Sequence, residues 1–259
     1  MKLIISDVDG TLLKPGETTL STAILTVIHE LTNQGILFAV ASGRCYSDLL
    51  SIFQKVKQDI IFIANDGAAV FYKENPLCCF PIDHRIGFSF MKDIYQYTEA
   101  EVVLYGKEKT YILPKEKEFE KLLAEWGGKS VQVVTCMDRV QEDYLKIACY
   151  HKTDIKKQLE NYLPYWRKQF HIPYCSKNWI EFTSCGVNKA TAAEKLLELF
   201  QISKEELLVF GDNENDRELL SMAEFAYAMK GAKAEIKQLC AYETENVAET
   251  IKSLCLKPK

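Results

Sequence analysis

Polar and apolar positions along this chain follow two different rhythms. Near the start, the apolar run Leu3-Ile4-Ile5 ends in Ser6-Asp7-Val8-Asp9-Gly10. A short apolar run without polar interruption predicts a strand buried on both faces, as in a parallel sheet. Ile24, Leu25, Ile28 and Leu31 then recur at helical spacing, which predicts a helix over about residues 20–34, with Gly35 placed to end it. A second apolar run, 36–41, leads into Ser42-Gly43-Arg44, and a helix through Tyr46, Leu49, Leu50 and Phe53 follows. A third run, 60–64, ends in Asn65-Asp66-Gly67. Strand, helix, strand, helix, strand is the pacing of an α/β fold, a Rossmann-like doubly wound parallel sheet.

The rhythm then changes. Residues 69–80 read as two short strands with Pro76 between them. Beyond Pro81 the pattern predicts helices over 88–98, 116–126 and 153–163. It predicts strands over 101–105, 110–113, 131–134, 144–150, 169–174 and 179–182. The aromatic residues of this stretch, such as Tyr105, Tyr111, Trp126 and Trp179, read mainly as core. This is an α+β unit long enough to be a domain. The first rhythm resumes with a helix after Gly186-Val187-Asn188-Lys189. A strand over 207–210 runs into Gly211-Asp212-Asn213-Glu214-Asn215-Asp216, with a helix over 217–223. A strand over 225–229 and a last helix over 247–254 close the chain. The expected organisation is a core formed by 1–82 and 184–259, interrupted by an insertion at 83–183.

Composition narrows the function classes. With 259 residues, 47% hydrophobic and 26% charged, the chain can build a sizeable core. A net charge of −4 without a basic block argues against nucleic acid or an anionic membrane as partner. No apolar run reaches the roughly 18 residues of a membrane span, and no secretory signal precedes the first strand. The nine cysteines are scattered without a CxxC pair. They read as reduced thiols of a cytoplasmic protein. His29 falls in a predicted helix, and His84, His151 and His171 fall in the insertion, where no nucleophilic arrangement forms around them. The sequence is silent on oligomeric state.

Chemistry concentrates where strands of the first rhythm end, which is where open α/β sheets bind ligands. Alternate strand residues point the same way, so Asp7 and Asp9 can converge. Two carboxylates that close require a cation or a shared proton. Asp212 follows a strand as Asp7 does, and three hard oxygen ligands suit Mg²⁺. Asp216 and Asn215 could steady such a site from behind. Gly10 allows a sharp turn and could free an N–H for an anion. Ser42 and Gly43 open a helix, where phosphate is attracted, and Arg44 adds a guanidinium. Lys189 begins a helix, against the dipole preference, and a bound anion would remove that conflict. Turn chemistry, helix capping and a solvated lysine account for each cluster taken singly.

Together, the four clusters resemble the motifs of the haloacid dehalogenase superfamily of phosphotransferases, and most of all its Cof-type phosphatases with a large α/β cap. Asp7-Val8-Asp9-Gly10-Thr11 is similar to DxDGT. Ser42-Gly43-Arg44 is similar to [ST]GR, the Lys189 segment to the third motif, and 211–216 to GDxxND. The resemblance covers the whole chain in order. It implies a Mg²⁺-dependent phosphatase of small phosphorylated metabolites such as sugar phosphates. Asp7 would be the nucleophile that becomes an aspartyl-phosphate, and Asp9 the acid and base, with its main-chain carbonyl on the metal. Asp7 and Asp212 would be side-chain metal ligands, with Asn215 and Asp216 behind them. Gly10, Ser42, Gly43 and Lys189 would hold phosphate, and Arg44 and Asp66 are candidates for substrate contact. A phosphosugar mutase or a silent binding module of the same fold would carry the same clusters. The family commonly has Asn where Asp66 stands, Met-Gly-Asn-Ala where Met229-Lys230-Gly231-Ala232 stands, Lys-Gly where Lys189-Ala190 stands, and a longer loop around 244–246. A carboxylate at 66 would repel phosphate unless Arg44 or another cation pairs with it.

Overall fold

The computed structural model describes residues 1–125 and 131–256. They form two sheets. The larger has eight strands. In spatial order these are β14 (Tyr242–Thr244), β13 (Phe225–Met229), β12 (Leu207–Gly211), β1 (Leu3–Asp7), β2 (Leu37–Ala41), β3 (Ile60–Ala64), β4 (Ala69–Tyr72) and β5 (Asn75–Cys79). The strands from β14 to β3 pair in parallel, and β4 and β5 are antiparallel. The central strands are buried on both faces, as their unbroken apolar runs require. Ile4, Phe38, Val40 and Phe62 face one core, shared with α1 (Thr22–Asn33) and α10 (Val247–Cys255). Leu3, Ile5, Ala39, Ile61 and Val209 face the other, shared with α7 (Lys189–Phe200) and α8 (Arg217–Met222). Burying a side chain of this size contributes about 1.5–3 kcal/mol.

The second sheet has six strands. Their order is β10 (Phe170–His171), β11 (Trp179–Ser184), β9 (Lys146–Tyr150), β6 (Glu101–Tyr105), β7 (Thr110–Ile112) and β8 (Val131–Val133). One face packs on α3 (His84–Tyr97), α5 (Ile155–Leu159) and α6 (Leu163–Trp166), through Phe90, Ile94, Leu104, Ile147, Phe182 and Trp166. The opposite face carries a smaller core of Val103, Ile112, Ala148, Phe119 and Leu123, the last two from α4 (Lys117–Glu125).

Several local expectations differ from what forms. Pro76 lies inside β5 and not in the turn, which is Lys73-Glu74 with φ of +51° and +64°. Proline is tolerated there because β5 is an edge strand, where a missing N–H costs no ladder bond. The helix expected over 153–163 is two short helices. The second starts at Leu163 with Pro164 in its first turn, a position proline favours. Strand β14 was not anticipated, being three residues of which two are exposed. The expected extension of α4 to Trp126, and Trp126 as core, lie outside the described residues. Among the described residues, no helix is long and apolar enough to cross a membrane.

Candidate active site

The carboxyl ends of β1, β2, β3 and β12 meet above the larger sheet, because these four strands are parallel neighbours and end together. β1 delivers Asp7, and the turn after β12 delivers Asp212 and Asp216. One carboxylate oxygen from each of these three lies within 4.8 Å of the others. Lys189, the first residue of α7, is fully buried and donates to Asp7 Oδ1 at 2.6 Å and to Asp216 Oδ1 at 2.7 Å. These two anions resolve the conflict between a lysine and the positive end of its helix.

Asp216 organises the turn that carries Asp212. Its Oδ2 accepts the backbone N–H groups of Asp212 and Asn213 at 3.0 and 3.1 Å. Both of its oxygens are thus engaged by the protein. Thr11 donates its hydroxyl to Asp212 Oδ1 at 3.2 Å. Asp7 Oδ2, by contrast, is buried with no hydrogen-bond partner. Burial and the nearby Asp216 push the Asp7 carboxyl well above the usual carboxylate range, against the pull of Lys189. Burial and Asp216 likewise raise Asp212. Burial lowers the Lys189 ammonium, but Asp216, Asp7 and Asp66 outweigh it and hold the group charged.

Charge bookkeeping tests whether a divalent cation fits. Three carboxylates against one ammonium leave a formal charge of −2 in a buried cluster, and one oxygen is orphaned. An Mg²⁺ ion matches the charge, the hard-oxygen donor set and the orphaned atom. Gly10 has the same logic. Its φ is +93°, and a Cβ there would lie 2.2 Å from Asp212 Oδ2. Its N–H was expected to receive an anion, but it donates to the Leu13 carbonyl at 2.8 Å. The position requires the absence of a side chain, because the Asp212 carboxylate occupies that space.

The other expected residues fall around a cavity of about 360 Å³. Asp7, Asp9, Ser42, Gly43, Arg44 and Asn215 line it, together with Cys45, Asp48 and Asn213 from the larger sheet. Asp9 is half-exposed and lies outside the three-carboxylate cluster. Arg44 donates to both of its oxygens at 2.8 Å. Ser42 Oγ accepts the Arg44 N–H at 3.1 Å. Asp66 does not line the cavity. It is buried, accepts from Asn215 Nδ2 at 3.0 Å, and stands 3.6 Å from Lys146 Nζ. Asn215, expected behind the metal, thus spends its amide on Asp66. The cation beside Asp66 is Lys146 and not Arg44.

The second sheet closes the cavity with Tyr105, Lys146 and Glu181, and the loop between β10 and β11 adds Tyr174. Lys146 and Glu181 escaped the sequence reading. A usable signal was present, since each is an ionisable residue inside an otherwise apolar strand. Lys146 shares a sheet face with Ala148, and Glu181 with Trp179, because alternate residues point the same way. That face turns toward the larger sheet beyond the small core around Ala148.

The sequence profile of the haloacid dehalogenase-like hydrolases matches residues 4–250. The chain is 27% identical over 243 residues to the 5-amino-6-(5-phospho-D-ribitylamino)uracil phosphatase YbjI of Escherichia coli (strain K12), covering 93% of this chain and 90% of that one. A crystal structure of a protein from Eubacterium rectale superposes with a TM-score of 0.91 at 26% identity, over 98% of each chain. The sugar phosphatase BT4131, of HAD subclass IIB, superposes with a TM-score of 0.82 at 18% identity, over 99% of this chain and 100% of that one. With a profile match over nearly its whole length, and the four motifs meeting at one site, the chain belongs to the haloacid dehalogenase-like hydrolases, of the Cof type.

Proposed function

We propose that this phosphatase hydrolyses small phosphorylated metabolites with Mg²⁺, through a phosphoryl group carried on Asp7, with residues 83–183 acting as a cap over the site. The observation that carries the reading is the buried Asp7 carboxylate, tied by one oxygen to Lys189 and orphaned at the other. A solvated turn aspartate would show neither feature.

The residues divide the work. Asp7 attacks phosphorus while the bond to the leaving oxygen breaks, and Asp9 gives that oxygen its proton. Water then attacks phosphorus, Asp9 takes the proton from the water, and the bond to Asp7 breaks. Lys189 pulls Asp7 toward its ionised form and aims it. Two of its three donors are spent on Asp7 and Asp216, which leaves one for a phosphoryl oxygen. Ser42 offers its hydroxyl to a second oxygen. Asp7 and Asp212 would hold Mg²⁺, which would supply charge stabilisation for the transferring phosphoryl group. The bidentate Arg44–Asp9 pair borders the cavity with both side chains partly exposed, so a substrate that pairs with Arg44 would release Asp9 for its proton transfers.

Tyr105, Tyr174, Asp48 and Glu181 surround the leaving-group end with hydroxyls and carboxylates. That lining suits a polar leaving group rich in hydroxyl or amino donors. A phosphorylated sugar or sugar alcohol has such a leaving group, in keeping with the names of the two phosphatases compared above. A panel of phosphorylated sugars, sugar alcohols, nucleotides and an aryl phosphate, assayed for phosphate release with Mg²⁺ and with EDTA, tests the reading. Release from hydroxyl-rich substrates that EDTA abolishes is expected. Release unaffected by EDTA would overturn the metal assignment, and no release from any compound would overturn the substrate class.

A further inference from the structure

The Ser42-Gly43-Arg44 loop has three backbone carbonyls, and each has a donor. The Ser42 carbonyl accepts the Asp66 N–H at 3.0 Å, and the Arg44 carbonyl accepts the Asn65 N–H at 2.9 Å. Both donors come from the turn after β3, where Asn65, Asp66 and Gly67 all have positive φ, at +50°, +55° and +98°. Two non-glycine residues in that region are strained, so the surrounding contacts hold the turn in place. The middle carbonyl, of Gly43, is different. Its donor is Lys146 Nζ at 2.6 Å, from strand β9 of the second sheet.

An ammonium has three donors. Lys146 donates one to Gly43 and one to Glu181 Oε1 at 2.9 Å, and stands 3.6 Å from Asp66 Oδ2, an ion pair beyond hydrogen-bond reach that leaves this oxygen without a donor. Its stem passes beside the Tyr105 ring, with Nζ 4.8 Å from the centroid. The side chain is 2% exposed. Two of its three donors are thus held by the protein, and the side chain is buried where it borders the cavity. What Lys146 does control is a peptide plane. In a trans peptide the C=O and N–H point opposite ways. Holding the Gly43 carbonyl therefore aims the Arg44 N–H, which donates to Ser42 Oγ at 3.1 Å. With one lone pair so engaged, the Ser42 hydroxyl, which borders the cavity, keeps its proton for a bound acceptor.

We propose that Lys146 is a positioning residue of the second sheet, which fixes the Gly43–Arg44 peptide so that the Ser42 hydroxyl is presented to the phosphoryl group. This rests on the phosphatase reading in assigning Ser42 to phosphate. The site is thereby complete when the second sheet sits on the first, since the larger sheet alone leaves the Gly43 carbonyl without its donor.

The test is a double-mutant cycle between Lys146→Met and Ser42→Ala, read as kcat/KM on an aryl phosphate and as calorimetric affinity for inorganic phosphate with Mg²⁺. Lys146→Met strands two buried carboxylates, so the cycle is repeated in an Asp66→Asn, Glu181→Gln background, with folding checked by thermal melting. Lys146→Met is expected to lower both readouts by roughly tenfold, and by less than about twofold once Ser42 is alanine, because the two changes remove one interaction. Independent, multiplicative losses would overturn the proposal and make Lys146 a direct ligand. An unmodified protein without turnover would count against the phosphatase reading, and the phosphate-affinity cycle would still decide the role of Lys146.

Discussion

Two buried lysines mark the two halves of this site, and they are buried for different reasons. Lys189 lies among Asp7, Asp212 and Asp216, a cluster two charges short of neutral with an oxygen left over. Lys146 lies between Asp66 and Glu181, and one of its donors closes on a backbone carbonyl. The first set brings three carboxylate oxygens within 4.8 Å of one another, a donor set suited to a divalent cation. The second is one charge short of neutral and leaves Asp66 Oδ2 without a hydrogen-bond partner, but its lysine is tied to Glu181 and to the Gly43 carbonyl. Burial of a lysine between carboxylates therefore does not by itself mark chemistry. Three converging carboxylate oxygens that leave a double charge unmatched do.

The largest expected effect breaks the open half. Asp7→Asn should lower phosphate release on the order of 10⁴-fold or more, because the nucleophile is lost while the fold remains. Retention of full turnover in a phosphate-release assay would end the account. Next, Lys189→Met and Lys146→Met should each cost about 3–5 kcal/mol, since each strands two buried carboxylates. Urea unfolding with and without Mg²⁺ separates them. Mg²⁺ should recover part of the Lys189→Met loss, because the ion offsets charge in that cluster. It should recover none of the Lys146→Met loss. Equal recovery in both would erase the distinction between the two lysines.

A smaller effect is expected at Gly10→Ala, which forces a Cβ into the Asp212 carboxylate and a non-glycine residue to φ +93°. A loss of about 1–3 kcal/mol follows, and Mg²⁺ affinity by calorimetry should fall with it. The smallest effect is a pH trend. Asp7 and Asp212 are raised above the ordinary carboxylate range, mainly by burial. A carboxyl raised in the folded state stabilises fully below its unfolded value, about pH 4. That contribution is lost as pH rises through the raised value. The metal-free protein should therefore melt lower as pH rises from about 5 to about 8, and the gain in Tm on adding Mg²⁺ should grow over the same range. A Tm gain from Mg²⁺ that is the same at both ends would contradict the burial of these carboxylates.

The same contrast explains what could be read from the sequence. Asp7, Ser42, Lys189 and Asp212 stand where strands end or helices begin, so periodicity locates them and local chemistry singles them out. Lys146 and Glu181 sit inside strands of the second sheet, and their meaning depends on which face of that sheet turns toward the first. Alternation gives the face but not its neighbour. Gly10 shows a further limit, because its residue type was legible while its reason, the space taken by Asp212 about two hundred residues later, is a contact of the folded chain. Asp66 is a candidate for substrate contact by its place after a strand, and only the three-dimensional arrangement shows Asn215 and Lys146 beside it. Strand type held over the central strands of the larger sheet, where the runs are unbroken and apolar. Expectations slipped in short segments such as β14 and the 153–163 stretch, where a few residues carry too little pattern to outweigh local turn chemistry.

The central claim is that Asp7 carries the phosphoryl group. Acid-quenched protein, mixed with an aryl phosphate and Mg²⁺, can be digested and mapped by mass spectrometry. The account predicts one added phosphoryl group on the peptide containing Asp7, absent in Asp7→Asn and absent with EDTA. A phosphoryl group that persists in Asp7→Asn, or turnover with no phosphorylated peptide under single-turnover quench, would contradict it.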